Sequence, residues 1–180
     1  MSTFEKAKIA DSASVVEIDW AAVYEELLPK VYHYFCLRIG DQLEAEDLTA
    51  VTFERAWRDR ERYRKDLGSF TNWLFGIAHH VAIGHFRQSK PEQDLDTSLI
   101  ELVHRPTEET ATREEEFERL ASMLTSLPER EREVFSLKYG AQFTNRSIAR
   151  IVGLTESNVG TILHRIVSRL REHWEHENER

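Results

Sequence analysis

The sequence predicts an all-α fold, and three observations carry that prediction. Gly and Pro are scarce, 7 and 4 in 180 residues, so the turn signals of a many-stranded protein are missing. Alternating β-branched runs are absent, whereas apolar residues return every three or four positions over long stretches. With 41% hydrophobic and 31% charged residues, the chain can fill one or two ordinary globular cores. The one cysteine, Cys36, lies among Tyr34, Phe35 and Leu37 and reads as a buried thiol rather than a disulfide partner or metal ligand. No apolar run approaches the roughly 20 residues that span a bilayer, and the start, MSTFEKAKIADSASVVEIDW, holds no continuous apolar segment. A cytoplasmic protein with no membrane insertion is expected.

After a flexible N-terminus, residues 1–18, the first helix begins at Asp19 as N-cap. It carries Trp20, Val23, Leu27, Leu28, Val31 and Phe35 to a stop at Gly40, with a kink expected at Pro29. A second helix is predicted from about Gln42 to Tyr63, carrying Leu48, Val51, Phe53, Ala56 and Trp57 and ending in the basic stretch. The third runs from Ser69 to about Gln88 on the stripe Phe70, Trp73, Leu74, Ile77, Ala78, Val81, His85 and Phe86. These three helices make one block, residues 19–90.

From Glu92 to Glu118 ten acidic residues face only Arg105 and Arg113, so 91–116 reads as an acidic linker with at most short helical pieces near Leu99, Leu102 and Val103. Periodicity returns at Phe117, Leu120, Met123 and Leu124, opening a second block, 117–174, before a tail at 175–180. Ser126-Leu127-Pro128-Glu129 resembles a capping box for a helix through Val134, Phe135 and Leu137 that Gly140 stops. A short helix, Asn145 to Val152, a turn at Gly153, and a long helix capped by Thr155 complete the block. Val159, Ile162, Leu163, Ile166, Val167 and Leu170 form the long helix's apolar stripe.

Short helix, glycine turn and longer helix make a helix-turn-helix pattern, in which the second helix enters the major groove of DNA. Its outward residues are Ser157, Asn158, Thr161, His164 and Arg165, short hydrogen-bonders followed by a cation. Asn can read adenine, and Arg can read guanine or hold phosphate. A second signal lies in ERYRKDLGSFTNWLFGIAHH, residues 61–80, where Arg62, Arg64 and Lys65 interleave with Tyr63, Phe70 and Trp73. Rings that stack on bases and cations that track phosphates suit single-stranded nucleic acid; the same Phe70 and Trp73 also fall on a core stripe. Glu44, Glu46 and Asp47 open the second helix, where anions favour the macrodipole or face a basic partner. The net charge of −8 disfavours indiscriminate binding to duplex phosphates. No nucleophile, phosphate loop or carboxylate pair stands out, so no catalytic residue, metal or cofactor is expected and the chain does not read as an enzyme. His173 and His176 at the C-terminus read as a polar helix end.

In order and spacing, these stretches resemble an extracytoplasmic-function sigma factor, the small two-domain class of bacterial transcription initiation factor. EAEDLTAVTFERAW and GSFTNWLFGIAHHVAIGHFR are similar to that family's region two, and LTSLPEREREVFSLKYG followed by SIARIVGLTESNVGTILHRIVSRLRE to its region four. The resemblance implies core RNA polymerase and promoter DNA as partners, and relatives are commonly held inactive by an anti-sigma factor. It assigns polymerase docking to Glu44, Glu46, Asp47 and Leu48, and capture of the minus-ten strand to Tyr63, Arg64, Lys65, Phe70, Asn72, Trp73 and His80. It assigns minus-thirty-five recognition to Arg146, Ser157, Asn158, Thr161, His164 and Arg165. The family often has Asn at the position of His80, and many relatives carry cations where this chain has Gly160 and Ile162. The alternative reading is a helix-turn-helix regulator with no polymerase role.

Overall fold

The computed structural model describes residues 18–88, 120 and 122–178, without the side chains of 175–178. The described residues are helical, with no strand among them. Helix α1 spans Trp20–Ile39, with the Asp19 carboxylate accepting the Ala22 N–H (3.1 Å) and Gly40 closing it in the left-handed region. It runs on through Pro29, whose missing N–H leaves the Glu25 carbonyl without its helical donor. Helix α2 spans Gln42–Arg58 behind Asp41, whose side chain accepts from Glu44 N at 2.8 Å. Helix α3 spans Phe70–Gln88, with Ser69 Oγ accepting from Asn72 N.

The second helix ends five residues short of the predicted Tyr63. Arg60 Nη1 donates to the Trp57 carbonyl and caps the end, and Arg60–Arg62 tighten into a 3₁₀ turn. Tyr63 is then extended, which lets its hydroxyl reach across the loop to the Gly68 carbonyl at 3.1 Å. Continued helix would carry Tyr63 away from that bond.

In the C-terminal block, Leu120 and residues 122–125 are helical. The predicted capping box does not form, because Ser126 Oγ donates back to the Met123 carbonyl (2.7 Å) and Glu129 points to Arg38. Helix α4, Glu129–Phe135, starts instead behind Pro128 with no side-chain cap. Its predicted continuation to Gly140 widens into a π-helical turn, Ser136–Gly140, closed by Ala141 N donating to the Ser136 carbonyl. Helix α5, Asn145–Val152, and helix α6, Glu156–Asn178, follow. Phe117 and the predicted pieces near Leu99, Leu102 and Val103 lie outside the described residues, as do most of the predicted termini and linker.

The two blocks share one core. Leu27, Val31, Tyr34 and Phe35 of α1 and Leu74, Phe75 and Ala78 of α3 are buried in one cluster with Val134, Leu137, Ile148 and Val159. Phe75 meets Phe143 edge to face, ring centroids 4.7 Å apart. A β-carbon on Gly140 would lie 2.8 Å from the His33 carbonyl oxygen and from the Tyr34 N and Cα, so only glycine lets the π-helical turn sit on the α1 backbone.

A polar centre sits inside this apolar contact. The Glu133 carboxylate, 3% exposed, accepts from Arg38 Nε (2.5 Å) and the Tyr34 hydroxyl (2.8 Å) and bonds His79 Nδ1 (3.0 Å). Arg38 also reaches Glu129 (3.2 Å) and stacks on Phe86. Burial pushes the Glu133 carboxyl pKa up, but the His79 bond, the Arg38 charge and the Tyr34 hydroxyl outweigh it and hold the value below the ordinary range. Buried Cys36 behaves as the sequence suggests, its thiol pushed up mainly by desolvation.

Candidate nucleic-acid interface

The loop between α2 and α3 is shaped by short-range bonds. Arg64 forks onto Asp66 through Nε (3.2 Å) and Nη2 (2.7 Å), and that hydrogen bonding holds the Asp66 carboxyl below its usual range. Behind the fork, Tyr63, Phe70 and Trp73 form a ring cluster with centroids 5.2 to 5.6 Å apart, and Trp20 of α1 joins at 5.6 Å from Phe70. All three rings are half-buried, so the core stripe and the candidate stacking surface are the same residues seen from two sides. Asn72 is half-buried, whereas Arg64, Lys65 and His80 are exposed, His80 bonding the Gly76 carbonyl through Nδ1 (2.7 Å). Tyr63, Trp73, Asn72, Arg62 and Arg64 line a cleft of about 360 Å³. Its opposite wall is Arg150 and Ile151 of α5, which the sequence gives no reason to place there.

The acidic start of α2 is exposed at Glu44, Glu46 and Asp47, but it does not form a single acidic surface. Glu44 turns to His85 of α3 (3.3 Å), whereas Glu46 borders an apolar groove with Tyr24, Leu28, Pro29, Tyr32, His33, Thr49 and Ala50. Leu48 is half-buried against the core. The groove was missed in the sequence, although Tyr24, Leu28 and Tyr32 stand at four-residue spacing on α1.

In the helix-turn-helix, Thr144 caps α5 by accepting from Ser147 N (3.2 Å), and Gly153 makes the turn at φ +67°. Thr155 caps α6 by accepting from Asn158 N (3.2 Å). Val159, Leu163 and Ile166 are buried, and Ser157, Asn158, Thr161, His164 and Arg165 all lie exposed along the outer side. Arg146 reaches Glu156 (3.4 Å) across the turn. Arg165 is drawn aside: its Nη2 pairs with Glu131 at 2.5 Å, and Arg169 holds the other carboxylate oxygen at 3.0 Å. Among the described residues no cluster of three His, Cys, Asp or Glu side chains is placed to hold a metal ion, and no helix is long and apolar enough to cross a membrane.

The same two blocks match known families. Sigma-70 region 2 matches residues 23–92, and Sigma-70 region 4 matches residues 117–170. The chain belongs to the extracytoplasmic-function sigma factors. It is 28% identical over 150 residues to the ECF RNA polymerase sigma factor SigM of Bacillus subtilis, covering 83% of this chain and 91% of that one. It is 26% identical over 167 residues to the ECF RNA polymerase sigma factor BldN of Streptomyces coelicolor, covering 91% of this chain and 63% of that longer relative. A solved structure of the sigma factor RpoE in complex with the anti-sigma factor NepR, from Bartonella quintana, shares the fold. Its TM-score is 0.68 at 18% identity, over 87% of this sigma factor and 97% of that chain.

Proposed function

We propose that this sigma factor binds core RNA polymerase and directs it to promoters by two separate DNA contacts. Region 2, through the loop and first turns of α3, takes the unpaired minus-ten strand, with Tyr63, Phe70 and Trp73 as stacking rings and Arg64 and Lys65 along the phosphates. Region 4 reads the minus-thirty-five duplex with Ser157, Asn158, Thr161 and His164 of α6, while Arg146 sits beside the turn for backbone contact. Glu46 and Asp47, with the groove beside Glu46, supply the polymerase-docking face, and an anti-sigma factor is a further partner. The protein acts in the cytoplasm as a non-catalytic factor.

The observation that carries this reading is the exposed outer side of α6 behind a capped turn, in a chain whose other half offers a cleft of rings and cations. Run-off transcription with purified core polymerase tests it. Specific transcripts that require this protein are expected. Protection of two half-sites by the protein alone, with no transcript, would favour the stand-alone regulator.

A further inference from the structure

We propose that the cleft between α3 and α5 is a mononucleotide site, built jointly by the two blocks, that takes a nucleoside monophosphate by its base and its phosphate. The inference goes beyond promoter recognition, because one wall of the site is Arg150 and Ile151, which take no part in either promoter contact.

The walls supply what a nucleotide needs. Trp73 and Tyr63 bring half-buried ring surface to one side and Ile151 stands on the other, so a planar base entering between them meets apolar surface on both faces. Asn72 bonds Ser69 through its backbone N–H, which leaves its side-chain amide for the edge of a base, and adenine is the base that such an amide meets in two bonds. Arg62 and Arg64 line the cleft too, but each already has a carboxylate, Asp59 at 3.4 Å and Asp66 at 2.7 Å. Among the described residues no carboxylate pairs with exposed Arg150, so its guanidinium is the cation left for a phosphate.

The floor is kept open. Gly76 of α3 lines the same cleft, and a β-carbon there would meet nothing within 4 Å. A glycine inside a helix forgoes about 1 kcal/mol of propensity relative to alanine, and here no close neighbour requires it. The volume of about 360 Å³ falls within the range of small-molecule sites, roughly 300–1,000 Å³. The site is also formed in advance, because Leu74 and Phe75 of α3 and Ile148 of α5 are buried in one apolar cluster that fixes the two walls against each other.

The test is calorimetric titration of the full chain with adenosine 5′-monophosphate and with adenosine, repeated on Arg150→Ala and on Gly76→Leu, which fills the floor with a better helix former. Neither residue lies in a candidate DNA or polymerase contact, and circular dichroism checks that both variants keep their helicity. The unaltered chain is expected to bind the monophosphate saturably and about tenfold tighter than adenosine, the effect of one charge-assisted hydrogen bond. Arg150→Ala should bring the monophosphate down to the adenosine level, and Gly76→Leu should abolish both. Absence of saturable binding to the unaltered chain would overturn the site, and so would equal affinities for the two probes or binding that survives Gly76→Leu in a helical chain. If Gly76→Leu loses helicity, Arg150→Ala decides by the loss or survival of the phosphate preference. Monophosphate binding that Arg150→Ala leaves unchanged would place the nucleotide on the ring surface alone, which overturns the joint site and leaves the strand-capture reading standing.

Discussion

The hydroxyl of Tyr34 donates a 2.8 Å hydrogen bond to Glu133, a residue ninety-nine positions further along the chain, and the bond is buried between the two sigma regions. It ties the middle of α1 to α4 at the point where Arg38 and His79 also converge. The charge state of one carboxyl therefore bears on how the two halves meet.

Acid should loosen that contact. The Glu133 carboxyl has a folded-state pKa below its ordinary value of about 4.3, so its stabilisation is fully present above that value and is lost as pH falls through the depressed folded one. The groups facing it are Arg38 and Tyr34 from α1, His79 from α3, and Glu129 and Arg132 on its own helix. Scattering at stepped pH should show a compact chain down to the carboxylate range and expansion below it, and Glu133→Gln should flatten that response. An equally steep response in the variant would assign the transition to other carboxylates.

Removing the cation should cost more than removing the pair. Arg38→Met leaves Glu133 buried with no cation and should destabilise by roughly 3–5 kcal/mol, whereas Arg38→Met with Glu133→Gln should recover much of the loss. Urea unfolding of the two single variants and the double variant measures the coupling. Additive losses would mean that the 2.5 Å pair carries no special energy.

Much of the fold was legible because helix signals are local. Asp19, Ser69, Thr155 and the stop at Gly40 each act within one turn, and the structure places them at those helix ends. Two of the errors share a cause, a side chain that takes a partner the helix pattern does not show. Tyr63 leaves the helix to reach Gly68, and Glu129 abandons the capping box for Arg38. The outer side of α6 could be read from its apolar stripe, but the pairing of Arg165 with Glu131 could not, since it joins positions thirty-four apart. The roof of the cleft, Arg150 and Ile151, depends wholly on how the halves pack, which periodicity does not encode.

Polymerase docking should respond to charge on α2 without a stability change. Glu46 and Asp47 are exposed and open a helix whose buried side is Ala45, Thr49, Thr52, Phe53 and Ala56. Glu46→Lys with Asp47→Lys should weaken co-purification with core polymerase, and helicity should fall little, a macrodipole effect of about 0.3–1 kcal/mol per residue. Undiminished co-purification would move the docking face elsewhere.

Open-complex formation should depend on the loop cations beyond any docking effect. Arg64 and Lys65 are exposed, so replacing both with Ala removes the two proposed phosphate-tracking cations without opening the ring cluster behind them. Permanganate reactivity of unpaired promoter thymines should fall while core binding holds. Trp73→Ala should add a loss of roughly 1–3 kcal/mol if its ring takes a base. Parallel loss of melting and core binding would mark a docking defect instead.

Base reading by α6 should separate Asn158 from Arg165. Asn158 stands in the first turn, its backbone N–H already held by Thr155, and its side chain is exposed where a recognition helix enters the groove. Asn158→Ala should cost about 1–3 kcal/mol at the cognate upstream element and relax preference at one base pair. Arg165 faces outward too, but its guanidinium is spent on Glu131, only 7% exposed, which Arg169 also holds. Arg165→Ala should therefore lower the melting temperature only modestly, because Arg169 still compensates the carboxylate, and leave the upstream base preferences unchanged. Arg165→Ala together with Arg169→Ala should destabilise by more than the two single losses, leaving Glu131 uncompensated. Gly160 and Ile162 supply no cation, so salt should weaken upstream binding only shallowly. A randomised promoter library transcribed by holoenzyme with each variant is the measurement. Upstream preferences that survive Asn158→Ala but change with Arg165→Ala would reverse the two roles and require the Glu131 pair to open on DNA.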